Sequence, residues 1–318
     1  MMENYAGSLG KIGNQCGQIP CIKVNLTGEK ANDWLNENYS RVFATLQEEG
    51  ALLIRGLPIP GSKKLGRVLS QIFQKSLADY EYRSTPRTKM RGQVYTSSEY
   101  HPGETIPLHN ENSYATSWPE YIGFYCAQAA EAGGATPIAD SGKVYSAISE
   151  STRREFEQRK LLYVRNYSGA DLPWQEVFQT RDRKEVEDYC QNHSIDWEWL
   201  ENESLRTKQV CQAVIEHRGT DEKIWFNQAH LFHISNLSED VRKSLLSIYD
   251  EDVLPRNVYF GDGEKIPTQY LNEIRRAYDE NTIVFNWQEH DLMLLDNMRY
   301  AHGRQPFSGK RSVLVGMA

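Results

Sequence analysis

The C-terminal stretch "DLMLLDNMRYAHGRQPFSGKRSVLVGMA" (residues 291–318) contains two short apolar runs joined by a polar segment. The runs "DLMLLDN" (291–297) and "SVLVGMA" (312–318) have the length and the aliphatic content of buried β-strands. Glycine and proline lie between them, and both residues favour turns. We therefore predict that the chain ends in two strands of a β-sheet.

Similar strand-like segments recur upstream and are broken by glycine and proline. They are "ALLIRGLPIPG" (51–61), "YIGFYCAQ" (121–128), "GGATPIAD" (133–140), "KLLYVRNYS" (160–168), "KIWFNQ" (223–228) and "TIVFNW" (282–287). Helices are predicted near residues 33–49 and 62–79, and a polar, helix-rich insertion at about 170–210. The pattern predicts a mainly β fold, an antiparallel sandwich or jelly roll with helical additions. No repeat or linker divides the chain, so residues 1–318 are predicted to form a single domain.

Composition excludes several classes of protein. The 318 residues are 39% hydrophobic and 25% charged, which is enough for a buried core. The net charge of −7 argues against binding to nucleic acid, which requires a dense basic surface. The start of the chain lacks an apolar signal core and no segment resembles a membrane span, so we predict a cytoplasmic protein without membrane contact. Of the five cysteines, Cys16 and Cys21 could share a metal or a disulfide, but free thiols are the preferred interpretation.

The segment "IPLHNENSYATSWP" (106–119) places His109 and Glu111 two positions apart. On a strand, side chains at this spacing point to the same face and can bind one metal ion. With His302 from a late strand they would complete the two-histidine, one-carboxylate triad of non-haem Fe(II) oxygenases. Arg311, at the start of the last strand, and the hydroxyl of Thr136 could hold the distal carboxylate of 2-oxoglutarate. The charges of Fe(II), Arg311, Glu111 and 2-oxoglutarate then sum to zero.

Other histidines and other functions remain as alternatives. His290 is also followed by an arginine, Arg299, and His230 and His233 could form a second pair on a helix. His101, His193 and His217 have no partner pattern and are interpreted as structural. A zinc hydrolase, a non-catalytic cupin-like binding protein and a purely structural role for the polar residues are the competing interpretations.

From about residue 50 to its end, the chain resembles the TauD/TfdA family of Fe(II)/2-oxoglutarate dioxygenases. The resemblance is carried by "LHNENSY", "GGATPIAD", "WFNQAHLFH", "LPRNVYFGDG" and "DNMRYAHGRQPFSGKR". These motifs are similar to the clavaminate synthase-like branch, close to the SyrP-type aspartyl β-hydroxylases of natural-product pathways. The resemblance implies a double-stranded β-helix (jelly roll) core with iron at its mouth. It also implies that His109, Glu111 and His302 bind iron, and that Thr136 and Arg311 hold 2-oxoglutarate.

The implied reaction is hydroxylation of an unactivated carbon with O2, releasing succinate and CO2. Desaturation, epoxidation or cyclisation are alternative outcomes of the same cofactor chemistry. The implied substrate is an amino acid, free or tethered as an aminoacyl group to a carrier protein. Candidate substrate contacts are Asn110, Asn112, Tyr114, Arg165, Ser168, Phe226 and Asn227. Arg165 is the candidate partner of a substrate carboxylate.

The chain departs from the family pattern at three positions. Many members have aspartate where Glu111 stands, although glutamate occurs in the clavaminate synthase-like branch. Leu295 stands where taurine dioxygenase has a tryptophan, so the co-substrate contacts there are expected to differ. The spacing to Arg311 is shorter than in some relatives, which keeps Arg304 as a second candidate for the carboxylate clamp.

Overall fold

The computed structural model describes residues 8–169 and 171–318. The strands are β1 (Ser8–Asn14), β2 (Gly17–Lys23), β3 (Ala51–Arg55), β4 (Tyr95–Thr96), β5 (Ile106–His109), β6 (Tyr121–Gln128), β7 (Ala132–Gly133), β8 (Ile138–Asp140), β9 (Leu161–Tyr167), β10 (Asp196–Trp199), β11 (Leu205–Cys211), β12 (Val214–Glu216), β13 (Lys223–Trp225), β14 (Arg256–Phe260), β15 (Thr282–Ile283), β16 (Leu292–Asp296), β17 (Tyr300–Arg304), β18 (Phe307–Ser308) and β19 (Ser312–Met317). The α-helices are α1 (Gly28–Glu49), α2 (Ser62–Phe73), α3 (Ser141–Ala147), α4 (Glu150–Arg159), α5 (Trp174–Val177), α6 (Arg183–Asn192), α7 (Ala229–Phe232), α8 (Glu239–Ile248) and α9 (Thr268–Glu280). Three 3₁₀ turns occupy Glu201–Glu203, Ile234–Asn236 and Glu251–Val253.

Two sheets position the residues that matter for function. One has seven strands in the order β1-β2-β3-β16-β6-β19-β4, and the other has four in the order β15-β8-β17-β5. Apart from the parallel pair β2–β3, the strand pairs of these two sheets are antiparallel within the described residues. The prediction of antiparallel sheets with helical additions is therefore confirmed.

The side chains on the two faces of β16 show how the sheets and helices pack. Leu292 and Leu294 join a hydrophobic cluster with residues of α1 and α2, which cover the outer face of the large sheet. Met293 and Leu295 join a second cluster that contains Ile138 of β8 in the smaller sheet. Because successive side chains of a strand point to opposite faces, one apolar run supplies both layers of core. This explains why polar and apolar residues do not alternate along β16.

A third sheet, in the order β10-β11-β9-β14, packs with α4, α6 and α9 around a separate apolar cluster. The segment predicted to be a helix-rich insertion contains α5 and α6, but it also contains β10 and nearly all of β11. Other predicted elements are shorter in the structure, among them the strand expected in "KIWFNQ", which is limited to β13. The strand expected in "TIVFNW" is limited to β15, and α2 ends at Phe73 because Gln74 takes a left-handed conformation with φ of 55°.

Two further features bear on the composition argument. All five cysteines are free thiols, so Cys16 and Cys21 do not form a disulfide. Among the described residues, no helix combines the length and the apolar character needed to cross a membrane.

Candidate metal centre

Three side chains predicted to bind iron converge in the structure. Ligand atoms of His109, Glu111 and His302 all lie within 4.8 Å of one another, and no other such cluster occurs in the part of the chain that is described. The antiparallel pairing of β5 with β17 places His302 directly opposite His109. Their ring centroids are 4.7 Å apart. The tertiary pairing of two short strands thus joins ligands from distant parts of the chain.

The local geometry of the His109–Glu111 pair differs from the predicted strand spacing. Strand β5 ends at His109, and Glu111 lies in the turn that follows. Asn112 in this turn has a positive φ of 55°, a conformation that asparagine tolerates better than most residues. The two side chains therefore meet because the chain turns after the strand, and not because they alternate along it.

Buried polar side chains hold the backbone of this ligand segment. Asn297 accepts a hydrogen bond from the Glu111 amide at 2.7 Å and donates to the Glu111 carbonyl at 3.0 Å. Gln228 donates to the carbonyl of Asn110 at 2.9 Å, and His230 donates to the carbonyl of Leu108 at 2.9 Å. Satisfying buried backbone groups in this way orients the metal ligands before any ion binds.

The two histidines have free nitrogen lone pairs for a cation. Nδ1 of His109 lies 2.8 Å from the Pro107 carbonyl, so it donates there and leaves Nε2 as an acceptor. Burial, followed by the charge of His302, lowers the pKa of His109 to about 4, which keeps its ring neutral at pH 7. Both ring nitrogens of His302 are buried and have no hydrogen-bond partner among the described residues. An orphaned imidazole beside a carboxylate is the donor set that fits a divalent metal.

Glu111 has a partner that the sequence did not indicate. Nη2 of Arg87 donates to Glu111 Oε2 at 2.7 Å, and both side chains are almost fully buried. Burial alone would raise the pKa of Glu111, but the charge of Arg87 and the proximity of His302 lower it well below its usual range. Arg87 belongs to the basic run "RSTPRTKMR" (83–91), in which neither residue type nor spacing indicates a metal site.

The candidate co-substrate residues Thr136 and Arg311 line a cleft that also includes His109 and His302. Arg311 donates to the Gly134 carbonyl at 3.0 Å and to Thr136 Oγ1 at 3.4 Å. No carboxylate forms an ion pair with Arg311 within the described residues. Thr136 also accepts a hydrogen bond from Trp287 at 3.0 Å, a contact the sequence did not indicate. A guanidinium without a counter-ion, next to a hydroxyl, can receive a carboxylate.

Arg304, the second candidate for the carboxylate clamp, binds backbone carbonyls instead. It donates to the backbone carbonyls of Tyr100, His101 and Glu104 at 2.9, 2.6 and 2.8 Å. Arg304 therefore holds the loop beside the cleft. Burial, followed by the charge of Arg304, lowers the pKa of Arg311 to about 10. Arg311 is the better placed of the two for an anion.

The competing histidines have ordinary structural partners. Nδ1 of His290 contacts the Tyr125 hydroxyl at 2.8 Å, and Arg299 donates to the carbonyl of Glu48. His233 caps a 3₁₀ turn, where its side chain accepts a hydrogen bond from the Ser235 amide. The remaining three, His101, His193 and His217, each have a hydrogen-bond partner away from the metal centre.

Most candidate substrate residues are buried among internal partners and none lines the cleft described above. Asn110 and Asn227 are fully buried and donate to backbone carbonyls, while Phe226 packs on Trp118 with a centroid distance of 4.8 Å. Tyr114 is buried and donates to the carbonyl of Tyr82 at 2.5 Å. The other two polar candidates lie nearer the surface: Asn112 is half-buried and Ser168 is exposed.

Arg165 differs from these residues because its charge forms no ion pair with any described carboxylate. It is 2% exposed and donates to the carbonyl of Arg83 at 2.9 Å, but its Nε and Nη1 have no hydrogen-bond partner. The rings of Tyr82 and Tyr167 lie 5.2 and 5.1 Å from its guanidinium carbon. The structure thus leaves a buried cation with two unused donor atoms.

Comparison with known proteins gives the chain a family. Residues 10–318 match the family described as taurine catabolism dioxygenase TauD, TfdA family. The dapdiamide synthesis protein DdaC of Enterobacter agglomerans is 44% identical over 273 residues, which cover 86% of this chain and 83% of that protein. A clavaminate synthase-like protein of Arabidopsis thaliana is 30% identical over 285 residues, which cover 86% of this chain and 82% of the relative.

Solved structures share the fold at low sequence identity. PvcB of Pseudomonas aeruginosa, an Fe, alpha-ketoglutarate dependent oxygenase from an isonitrile synthetic pathway, has a TM-score of 0.53 at 16% identity and covers 100% of this chain and 93% of its own. An asparagine oxygenase in complex with Fe(II), 2S,3S-3-hydroxyasparagine and succinate has a TM-score of 0.55 at 12% identity, covering 91% of this chain and 82% of its own. The family match spans nearly the whole chain and includes every residue of the triad. The predicted resemblance is therefore confirmed, and the chain belongs to the TauD/TfdA family of dioxygenases.

Proposed function

We propose that this dioxygenase uses Fe(II), 2-oxoglutarate and O2 to hydroxylate an unactivated carbon of an amino-acid-like substrate in natural-product biosynthesis, releasing succinate and CO2. The observation that carries this proposal is the convergence of His109, Glu111 and His302 beside a cleft that also contains Arg311. Fe(II) held by these three residues would still be able to bind a keto acid and O2.

The chain's own residues would prepare this chemistry in distinct ways. His109, Glu111 and His302 would hold the metal, and Asn297 would fix the orientation of Glu111 through both of its backbone groups. Arg311 would bind the distal carboxylate of 2-oxoglutarate. When bound, iron and 2-oxoglutarate supply the oxidising power, because decarboxylation of the keto acid is coupled to reduction of O2. The protein contributes binding, orientation and a water-poor site.

The architecture we propose around this centre is a double-stranded β-helix (jelly roll) made from the seven-stranded sheet and the sheet β15-β8-β17-β5. The apolar cluster shared by these two sheets supports it. We treat residues 1–318 as one domain in which about 170–210 is an insertion. A cytoplasmic location is supported by the five free cysteines, which suit a reducing compartment.

The substrate class is inferred from relatives. DdaC is named for dapdiamide synthesis, and the asparagine oxygenase was solved with a hydroxylated amino acid. Both support an amino acid or an aminoacyl group as the substrate of this chain, either free or tethered to a carrier protein. The same cofactor chemistry could also give desaturation, epoxidation or cyclisation.

The test of the proposed function has two stages. Fe(II) and 2-oxoglutarate are first added to the protein without oxygen, and we expect a lilac charge-transfer band from chelation of the keto acid. Oxygen-dependent succinate formation is then measured with a panel of free and carrier-bound amino acids. A folded protein that shows no band, or activity indifferent to oxygen as in a zinc hydrolase, would contradict the proposal.

Arg165 provides a prediction about the substrate. If its unused donors bind a substrate carboxylate, Arg165→Met should raise the KM for the best amino acid of the panel by about tenfold or more. Because the arginine is buried without a counter-ion, the cost of desolvating its charge offsets its hydrogen bond to Arg83 and its ring contacts, so the same change should alter the free energy of unfolding little. Steady-state succinate assays and urea denaturation measure the two effects. Arg206→Met, which removes a charge from neighbouring β11, is the matched control, and an unchanged KM for Arg165→Met would remove this residue from the site.

A further inference from the structure

Arg87 brings a buried positive charge to the metal centre. It lies on the irregular segment between α2 and β4, and its side chain is 3% exposed. Its guanidinium carbon stands 4.5 Å from the centre of the Tyr80 ring, its Nη2 bonds to Glu111, and its Nε has no partner. The side chain also lines the cleft that contains Arg311. It is therefore a fixed part of the site and not a surface charge.

The position of Arg87 places its positive charge close to where a metal ion would bind. It donates to Oε2 of Glu111, and the same oxygen faces Nε2 of His302 at 3.7 Å, on the side where the ligand atoms converge. A cation held by His302 and this oxygen of Glu111 would share the oxygen with the guanidinium. Two positive charges at short range in a buried site repel each other more strongly than they would in water. Arg87 should therefore weaken the binding of a divalent metal on its own.

The same charge has the opposite effect on an anion. Without Arg87, the charges of Fe(II), Arg311, Glu111 and dianionic 2-oxoglutarate sum to zero, and Arg87 adds one positive charge. With this extra positive charge, the metal centre attracts the anionic co-substrate more strongly. We propose that Arg87 is a positioning residue that holds Glu111 and sets the charge of the centre, so that the metal is retained most firmly when 2-oxoglutarate is also bound. This inference rests on the proposed function.

The experiment separates charge from shape at this position. Binding of Mn(II) to the metal-free protein is measured from the electron paramagnetic resonance signal of free Mn(II), and binding of 2-oxoglutarate to the Mn(II)-loaded protein is measured by calorimetry. For Arg87→Met we expect the Kd for Mn(II) to fall about tenfold and the Kd for 2-oxoglutarate to rise about tenfold, each about 1.4 kcal/mol. Arg87→Lys keeps the charge but loses the planar guanidinium that stacks on Tyr80, so it should change both constants less than Arg87→Met does.

Controls keep the result interpretable. Arg87→Gln is the second neutral variant, and circular dichroism verifies that each protein is folded. Arg83→Met removes a charge from the same segment, where Arg83 bonds to Gln179, and should change neither constant. Weaker Mn(II) binding in the neutral variants, or an unchanged affinity for 2-oxoglutarate, would overturn the inference. A wild-type protein that binds neither Mn(II) nor 2-oxoglutarate would instead reject the proposed function.

Discussion

Replacement of His302 by leucine is expected to remove the metal from the protein and leave the fold intact. Neither ring nitrogen of His302 has a hydrogen-bond partner, so leucine costs no internal hydrogen bond and buries apolar atoms in place of polar ones. Loss of one of three ligands should weaken Fe(II) binding by at least about 100-fold. The free energy of unfolding should be unchanged or higher. Iron content after anaerobic reconstitution and urea denaturation measure the two quantities.

A companion variant tests the carboxylate of the same centre. Glu111→Gln keeps the size of the side chain and an oxygen that can accept from Arg87, but it removes the negative charge. We expect it to lose iron as His302→Leu does. His193→Leu is the control, because His193 contacts Tyr189 and lies outside the triad. A purely structural role would be indicated if His302→Leu kept its iron and lost stability.

Arg311→Met is expected to abolish useful binding of 2-oxoglutarate without changing the affinity for metal. Within the part of the chain that is described, Arg311 bonds to the neutral groups of Gly134, Ser97 and Thr136, so its charge is available for an anion. Removing one partner of a buried charge pair costs about 3 kcal/mol, which corresponds to a Kd roughly 150-fold higher. Calorimetry with 2-oxoglutarate on the Mn(II)-loaded protein gives this constant, and Mn(II) titration gives the metal affinity.

Two comparisons make the Arg311 result specific. Arg299→Gln removes an arginine that bonds to the Glu48 carbonyl and should leave 2-oxoglutarate binding unchanged. Arg304 bonds to three loop carbonyls, so its replacement should disturb the loop. Wild-type affinity for 2-oxoglutarate in Arg311→Met would show that another group clamps the co-substrate.

The accuracy of the sequence prediction varied with the range of the interactions involved. The run "YIGFYCAQ" was predicted as a strand and is β6 from end to end. A mostly apolar run of this length matches a buried strand and is shorter than a typical helix. The predicted helix over 62–79 ends early, since the left-handed conformation of Gln74 has no strong signal in its residue type. Glu111 was expected on the strand of His109 and instead lies in the turn that follows this strand.

The sequence by itself determined the apolar runs that form the strands, and it determined the residue types and order of His109, Glu111, His302 and Arg311 that indicate a metal-dependent dioxygenase. These are local properties of the chain, carried by spacing and chemistry. Only the tertiary structure decided that Arg87 contacts Glu111 and that Asn297 holds the ligand turn, which it reaches across 186 positions. Such contacts depend on how sheets and loops pack, because burial makes a distant polar partner necessary without specifying which residue supplies it.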